Sequence, residues 1–528
     1  MNIFFKILNA ILIALILFLV GFLVGKKYDF TYDENDEIVG LQYSNNEQKI
    51  RRLVSLIDNQ YVNEVNSDSL VDEAINFMVG KLDPHSTYLS KEMLKRSNEE
   101  LSGEFVGVGL KFRVVNDTAI VSYIMPGAPK SNQILKFGDR IVRVAQTSVV
   151  GDGLKQFNSL LKGKVSTQVE VEVLRANQLV KLNLTRDRIP VSTIEGNHMI
   201  TSDIGYLKLT RFTEKSASEF HEALQSLLDR GMKTLVFDLR GNPGGLMRSA
   251  EKIADEFLTK NELIVYTQDK SKTKKYVYAT NYGLFEKGKV YILIDESSAS
   301  SSEIVAGAIQ DYGRGTIVGR RSFGKGLVQK EINLGDETRV RLTVANYFTP
   351  SGRSIQRPYD KGNQAYADEL YQRLKNGELY NKDSIKVDEK LRYVAPSGKI
   401  VYGGGGIIPD EFVPFDVASI SNWLVYNNDS KFYEEFLFKK ADRLNQLFLL
   451  QNENTYIKYF GAGIFRPEFL KMLGVPKEQF NDSLGATLDT YIKATIAQEI
   501  FGPRAFHEVW SKEDEMIKKV LELENRGS

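Results

Sequence analysis

The sequence predicts an α/β layered domain carrying a separate β-rich module, with helical regions on either side and an apolar helix at the N-terminus. Three observations predict it. Between 204 and about 350, buried strands such as TLVFDLR (234–240) and VYILID (290–295) alternate with helix-forming stretches, as expected for helices layered on a sheet. Between 102 and 190 the period is two: Val169, Val171 and Val173 alternate with Glu170 and Glu172, and Leu182 and Leu184 continue it after the turn ANQ. From Ile7 to Gly25, nineteen residues carry one polar side chain, Asn9, and no charge.

At 528 residues the chain is too long for one core, and its length suggests roughly two to four domains. It is 42% hydrophobic and 26% charged with a formal net charge of +1, so it has no global field to draw in nucleic acid. The absence of cysteine excludes disulfides, thiolate metal sites and a Cys nucleophile. Any histidine-based mechanism must draw on His85, His198, His221 and His507.

The apolar run at 7–25 is long enough to cross a hydrocarbon core of about 30 Å. A cleaved signal peptide would be shorter and end in a small-x-small site; this run meets Lys26-Lys27-Tyr28 instead. An uncleaved anchor over 1–27 is therefore expected, then a polar spacer over 28–47. Residues 48–101 read as helical, with Leu53, Ile57, Ala74 and Met78 among charged residues, and KLDPHSTYLS (81–90) supplies a Pro-containing turn. The β-rich module spans 102–190, interrupted by one helix near 153–162. The layered core spans 191–410; its helix at 214–230 aligns Phe220, Leu224, Leu227 and Leu228 and stops at Gly231. Residues 411–528 read as a helical extension with no catalytic signature.

Three segments of the core carry chemistry. Ser297 to Ser302 lie between a buried strand and a helix, where unpaired amides and the helix dipole would stabilise an oxyanion. Taken alone, the run is read as well or better as helix-capping serines. GRRSFGKGLVQ (319–329) presents Lys325 between two glycines; a lysine serves as general base when burial or nearby positive charge depresses its pKa. Gly319, Gly324 and Lys325 also imitate a phosphate loop. That motif needs Ser or Thr after the lysine and a helix beyond it, whereas Gly326 and the strand-like LVQKEINL follow here. The third segment, RGNPGGL (240–246), is a glycine turn whose amides, at Gly244 and Gly245, could bind an oxyanion, or which could simply make a tight connection. No histidine accompanies a nucleophile motif: His85 sits in the Pro turn, His221 on a helix face, His198 and His507 in no motif.

Together with LDPHSTYL, GVGL, PGAP, GDRI, YFTPSGRSIQ and GGIIPD, these segments resemble the carboxy-terminal processing (tail-specific) serine proteases over roughly residues 50–410. The resemblance implies a ClpP/crotonase-like layered core with a Ser/Lys dyad: Ser300 as nucleophile, Lys325 as base, Gln329 as the residue orienting it, and Ser301 supplying a second oxyanion amide. Asp311 falls on an acidic position of some members and reads as structural support. Residues 102–190 resemble a PDZ domain, with Gly107, Val108, Gly109 and Leu110 as the loop that captures a peptide C-terminus and the 153–162 helix as the other wall. Phe157, Leu160 and Leu161 are candidates either for that wall or for core. The family implies protein substrates with free C-termini, a homodimer, an adaptor protein among the partners, and a single-pass protein of the inner membrane with an extracytoplasmic catalytic domain. Neither metal nor cofactor is expected. The competing reading is a tethered peptide-binding scaffold with a degenerate protease domain.

Overall fold

A computed structural model describes residues 29–32, 38–41, 45–415, 436–441, 443–444, 452–472 and 482–526. The expected anchor lies outside them, and among the described residues no helix is long and apolar enough to cross a membrane. The chain parts into two compact units, Met1–Lys81 and Leu82–Ser528.

In the first unit, β1 (Asp29–Tyr32) pairs antiparallel with β2 (Ile38–Leu41). Helix α1 (Asn45–Gln60) buries none of its residues. Helix α2 (Ser67–Val79) starts where the Asn66 side chain accepts the Ser69 amide, an N-cap that satisfies one of the orphan amides. Leu53, Phe77 and Met78 are 58%, 66% and 48% exposed.

The second unit opens with β3 (Thr87–Leu89) and α3 (Lys91–Ser102). The β-rich module follows: β4 (Glu104–Gly107), β5 (Leu110–Val115), β6 (Thr118–Ile124), β7 (Arg140–Val144), β8 (Thr147–Ser148), α4 (Leu154–Leu161), β9 (Gln168–Arg175), β10 (Gln178–Thr185) and β11 (Asp187–Pro190). Its main sheet runs β10-β9-β7-β6-β5, all antiparallel, so β5 is an edge strand. The period-two pattern sets which face is dry: Val169, Val171 and Val173 are buried, as are Ile141 and Phe157.

The layered core contains β12 (Ile194–Met199), β13 (Ile204–Leu209), α5 (Ser216–Asp229), β14 (Thr234–Asp238), α6 (Met247–Asp255), β15 (Leu263–Asp269), β16 (Lys274–Tyr278), β17 (Lys289–Ile294), α7 (Ser301–Asp311), β18 (Thr316–Gly319), β19 (Leu327–Asn333), β20 (Arg339–Phe348), α8 (Asn363–Lys375), β21 (Arg392–Val394), β22 (Ile400–Tyr402) and β23 (Glu411–Phe412). One sheet runs β12-β13-β14-β17-β18-β23 and is parallel from β13 onward; the other runs β16-β15-β20-β19. β3 joins β20 antiparallel, so the LDPHSTYL segment, read from sequence as a turn closing a helical region, supplies a strand to the core instead.

A parallel sheet needs both faces covered. On one face Leu235, Phe237 and Ile292 pack against α5, α6 and α7. On the other, Val236, Leu293 and Val318 meet Met516, Ile517 and Val520. Those three belong to the last of the C-terminal helices α9 (Glu453–Tyr459), α10 (Arg466–Met472), α11 (Asp482–Phe501), α12 (Pro503–Trp510) and α13 (Glu515–Arg526). The C-terminal extension is thus part of the core's second face. It also covers the β-rich module: Val115, Ile120 and Phe137 are buried in one cluster with Phe436, Phe438, Phe465 and Phe469.

Candidate active site

The site lies where β14 and β17 end. Arg240 and Asp238 are ion-paired at 2.6 Å, and Arg240 also reaches Asp514 of the C-terminal extension at 2.8 Å. This anchors the turn that follows. Asn242, fully buried, donates from its amide to Leu209 O (2.9 Å) and accepts Gly244 N–H on Oδ1 (2.9 Å). Its carbonyl accepts from Ala299 N and from Ser302 Oγ, both at 3.0 Å, while Ser301 Oγ donates to Gly245 O at 3.0 Å. The hydroxyls flanking Ser300 therefore fasten the serine turn to the glycine turn.

Ser300 is half-buried with φ +54° and ψ −112°. A serine there holds about 1–3 kcal/mol of backbone strain. Gly244 (φ +96°) makes the close approach feasible: a Cβ there would lie 2.8 Å from Ser300 Cβ and from Ala299 O. The Gly244 amide, expected from sequence to bind an oxyanion, donates to Asn242 Oδ1 in this structure. The amides of Gly245 and Ser301 have no hydrogen-bond partner among the described residues and remain open for that role.

Lys325 is half-buried in the loop between β18 and β19. Burial, then the charge of Arg341 on β20, push its pKa below the usual lysine range; Glu303 and Asp83 pull the other way. In this conformation Ser300 Oγ and Lys325 Nζ share no hydrogen bond. What joins their backbones is Glu303, fully buried on the first turn of α7: its Oε2 accepts Ser300 N–H (2.8 Å) and Lys325 N–H (2.9 Å), and its Oε1 accepts Gly324 N–H (2.7 Å). Tyr347 Oη donates its one hydrogen to Lys325 O (2.6 Å), with Ser300 O at 3.1 Å as the longer, second acceptor. Gln329 lies on β19, and its amide donates to Thr343 Oγ1 at 3.4 Å.

Two further segments reach the lysine loop. In the 82–90 segment Asp83 accepts from Ser86 Oγ (2.6 Å), and Ser86 Oγ accepts Thr343 N–H on β20 (3.0 Å). His85, given no role by the sequence, contacts Tyr366 Oη (2.9 Å), and burial together with the Lys325 charge lowers its pKa to about 4. Arg373 donates to Ser322 O (2.7 Å) and Phe323 O (3.2 Å). Asp311 is fully buried against Arg353 at 2.9 Å, in keeping with structural support. Among the described residues no cluster of side chains could hold a metal ion.

In the β-rich module, Gly107 ends β4, Gly109 has φ +71° and Leu110 opens β5. Asn132, fully buried, holds this loop by donating to Val108 O and Thr185 O, both at 2.8 Å. Phe157 of α4 meets Phe112 of β5 edge-on with centroids 4.7 Å apart. Phe157 and Leu161 are core, leaving half-buried Leu160 nearer the surface.

Comparison with known proteins decides the family. Residues 203–361 match the model of peptidase family S41, and residues 26–93 that of the activating protease CtpB N-terminal domain. A carboxy-terminal-processing protease of Bartonella bacilliformis is 36% identical over 304 residues, covering 56% of this chain and 69% of that protein. The chain belongs to peptidase family S41. A CtpA-like serine protease of Staphylococcus aureus is 32% identical over 326 residues, 61% of this chain and 65% of that one. The solved photosystem II D1 C-terminal processing protease aligns over 60% of this chain and 91% of its own at 26% identity, with a TM-score of 0.35. As an S41 member the chain is a serine-type peptidase of the carboxy-terminal-processing group.

Proposed function

We propose that this S41 peptidase is a membrane-anchored endopeptidase with a Ser300–Lys325 dyad, acting on proteins recognised by their C-terminal tails. The observation that carries the dyad is a strained serine and a lysine of depressed pKa whose backbones hang from one carboxylate. Ser300 Oγ attacks the scissile carbonyl carbon as its proton passes to neutral Lys325 Nζ. The amides of Gly245 and Ser301 receive the oxyanion. Lys325 then returns the proton to the leaving amine, and a water deprotonated by the same lysine releases the acyl group. Gln329 is the proposed orienting residue, turning from Thr343 to the amine as substrate closes the gap between the dyad side chains, which commonly tightens only in the substrate complex. No metal or cofactor enters this scheme.

The tail is read by the 102–190 module as a PDZ domain. The edge strand β5, facing α4, offers the open hydrogen-bonding row to which an extended peptide adds, with the 107–110 loop taking the carboxylate. The apolar run at 7–25 anchors the chain in the inner membrane with the catalytic unit outside the cytoplasm, and the exposed apolar residues of α1 and α2 suit a second copy; fractionation and sedimentation test both. Ser300→Ala and Lys325→Ala are each expected to lower cleavage by at least about 10⁴-fold with folding intact. Robust cleavage by either variant would remove the dyad. A serine-directed covalent probe that labels Ser300 separates this reading from a degenerate scaffold.

A further inference from the structure

We propose that Glu303 and Tyr347 are a pair of positioning residues, one gripping the amides and the other the carbonyls of the nucleophile and the base. This rests on the Ser/Lys reading above. The two grips are independent. Glu303 reaches back from the third position of α7, and its Oε2 takes both the Ser300 and the Lys325 N–H. Tyr347 comes from β20 in the other sheet, and its one hydroxyl faces both the Ser300 and the Lys325 carbonyl. A carboxylate that merely capped α7 would need only the Ser300 amide. Here three of its donors, Gly324 N, Lys325 N and the Ser322 hydroxyl, belong to the lysine loop.

The cost of this arrangement argues for its use. Glu303 is fully buried, and its donors at Ser300, Ser322, Gly324 and Lys325 are uncharged amides and a hydroxyl, a position that is unfavourable for a charged group unless it is richly hydrogen-bonded. Burial pushes its pKa up to about 7 against the pull of these donors. Its negative charge also raises the pKa of Lys325, which works against a neutral base. An apolar residue would spare both penalties, so what the carboxylate supplies is geometry. Tyr347 is 1% exposed and adds the second point of attachment. With both in place the two backbones are fixed on their amide and carbonyl sides, and only side-chain rotation is left to complete the dyad.

The test uses the full-length protein and a chromogenic peptide ester with Ser300→Ala and Lys325→Ala as references. Tyr347→Phe keeps the buried ring and removes only the hydroxyl, so it is expected to fold. Its kcat should fall about 10- to 100-fold with KM within about twofold, the size of effect a displaced catalytic group produces. Labelling of Ser300 by a serine-directed probe should slow in parallel. Glu303→Gln should lower kcat similarly and should also shift the rising limb of the pH–kcat profile to lower pH, because a negative charge facing Lys325 has gone. The other groups facing the lysine (Arg341 from β20, Asp83 and His85 from the 82–90 segment) are unchanged, and Tyr347→Phe should leave the limb where it was. Wild-type kcat in Tyr347→Phe or in Glu303→Gln overturns the proposal. Cleavage by Ser300→Ala or Lys325→Ala would instead overturn the dyad reading itself.

Discussion

Arg341, outside every candidate motif, adds its charge to burial in lowering the pKa of Lys325. Its guanidinium is held by Glu331 and Ser97, each at 2.7 Å, and its charge lowers the Lys325 pKa. Arg341→Gln should therefore raise that pKa. The proposed base is active when neutral, so the rising limb of the pH–kcat profile should move to higher pH, with a larger loss at pH 7 than at pH 10. Equal losses at both would mean that Arg341 acts only through packing. At this scale the sequence told a mixed story. Ser300 and Lys325 are singled out by the family pattern, because both sit in long motifs, and the structure hangs their backbones from one carboxylate. Glu303 was legible in principle: Ser300 and Glu303 have the S-x-x-E spacing of a capping box. What no spacing reveals is that the carboxylate also takes the amides of Gly324 and Lys325. The commitment of the Gly244 amide to Asn242 was likewise invisible, since it depends on a side-chain rotamer.

The strand-turn-helix unit from β14 to α6 depends on one glycine more than on any side chain. Gly245 has φ +143°, and a Cβ there would lie 2.0 Å from Phe212 O. The turn is pinned to that residue, with Phe212 N donating to Gly244 O at 3.0 Å and Leu246 N to Phe212 O at 2.8 Å. Gly245→Ala is expected to break this ladder and move the amide proposed to bind the oxyanion. Removing such a donor costs about 10²–10³-fold in kcat, and a loss of that size is expected while substrate affinity for the β-rich module stays unchanged. Peptide binding measured beside turnover checks both halves. The alternation of strands and helices across the core was readable because periodicity is a local property. β3 was not: its three residues pair with β20, from Arg339 to Arg341, and nothing local marks a strand that short.

The largest gap between sequence and structure concerns residues 411–528, whose helices were expected but whose partners were not. Amphipathic helices specify a buried face without specifying what covers it. Here the answer is two surfaces at once. α13 closes the second face of the parallel sheet, while α11 and the aromatic residues near 436–438 cover the outer side of the β-rich module. The junction has a polar lock: Glu499, 3% exposed, accepts from the buried Ser122 hydroxyl on β6 and from Arg113 on β5 at 2.8 Å. Phe137 stacks on Phe438 beside it, with centroids 5.4 Å apart. The extension therefore ties the strands that line the proposed peptide groove to the body that carries Ser300. Glu499→Ala leaves the Ser122 hydroxyl without its acceptor, at a cost of about 1–3 kcal/mol; the exposed end of Arg113 adds less. Nothing in the variant touches the proposed dyad. Amide exchange should accelerate along β5, β6 and α11 while α7 and the lysine loop stay protected, and the serine probe should still label Ser300 at the wild-type rate. Exchange confined to α11, with β5 and β6 as slow as before, would mean that the module holds its position without the clamp.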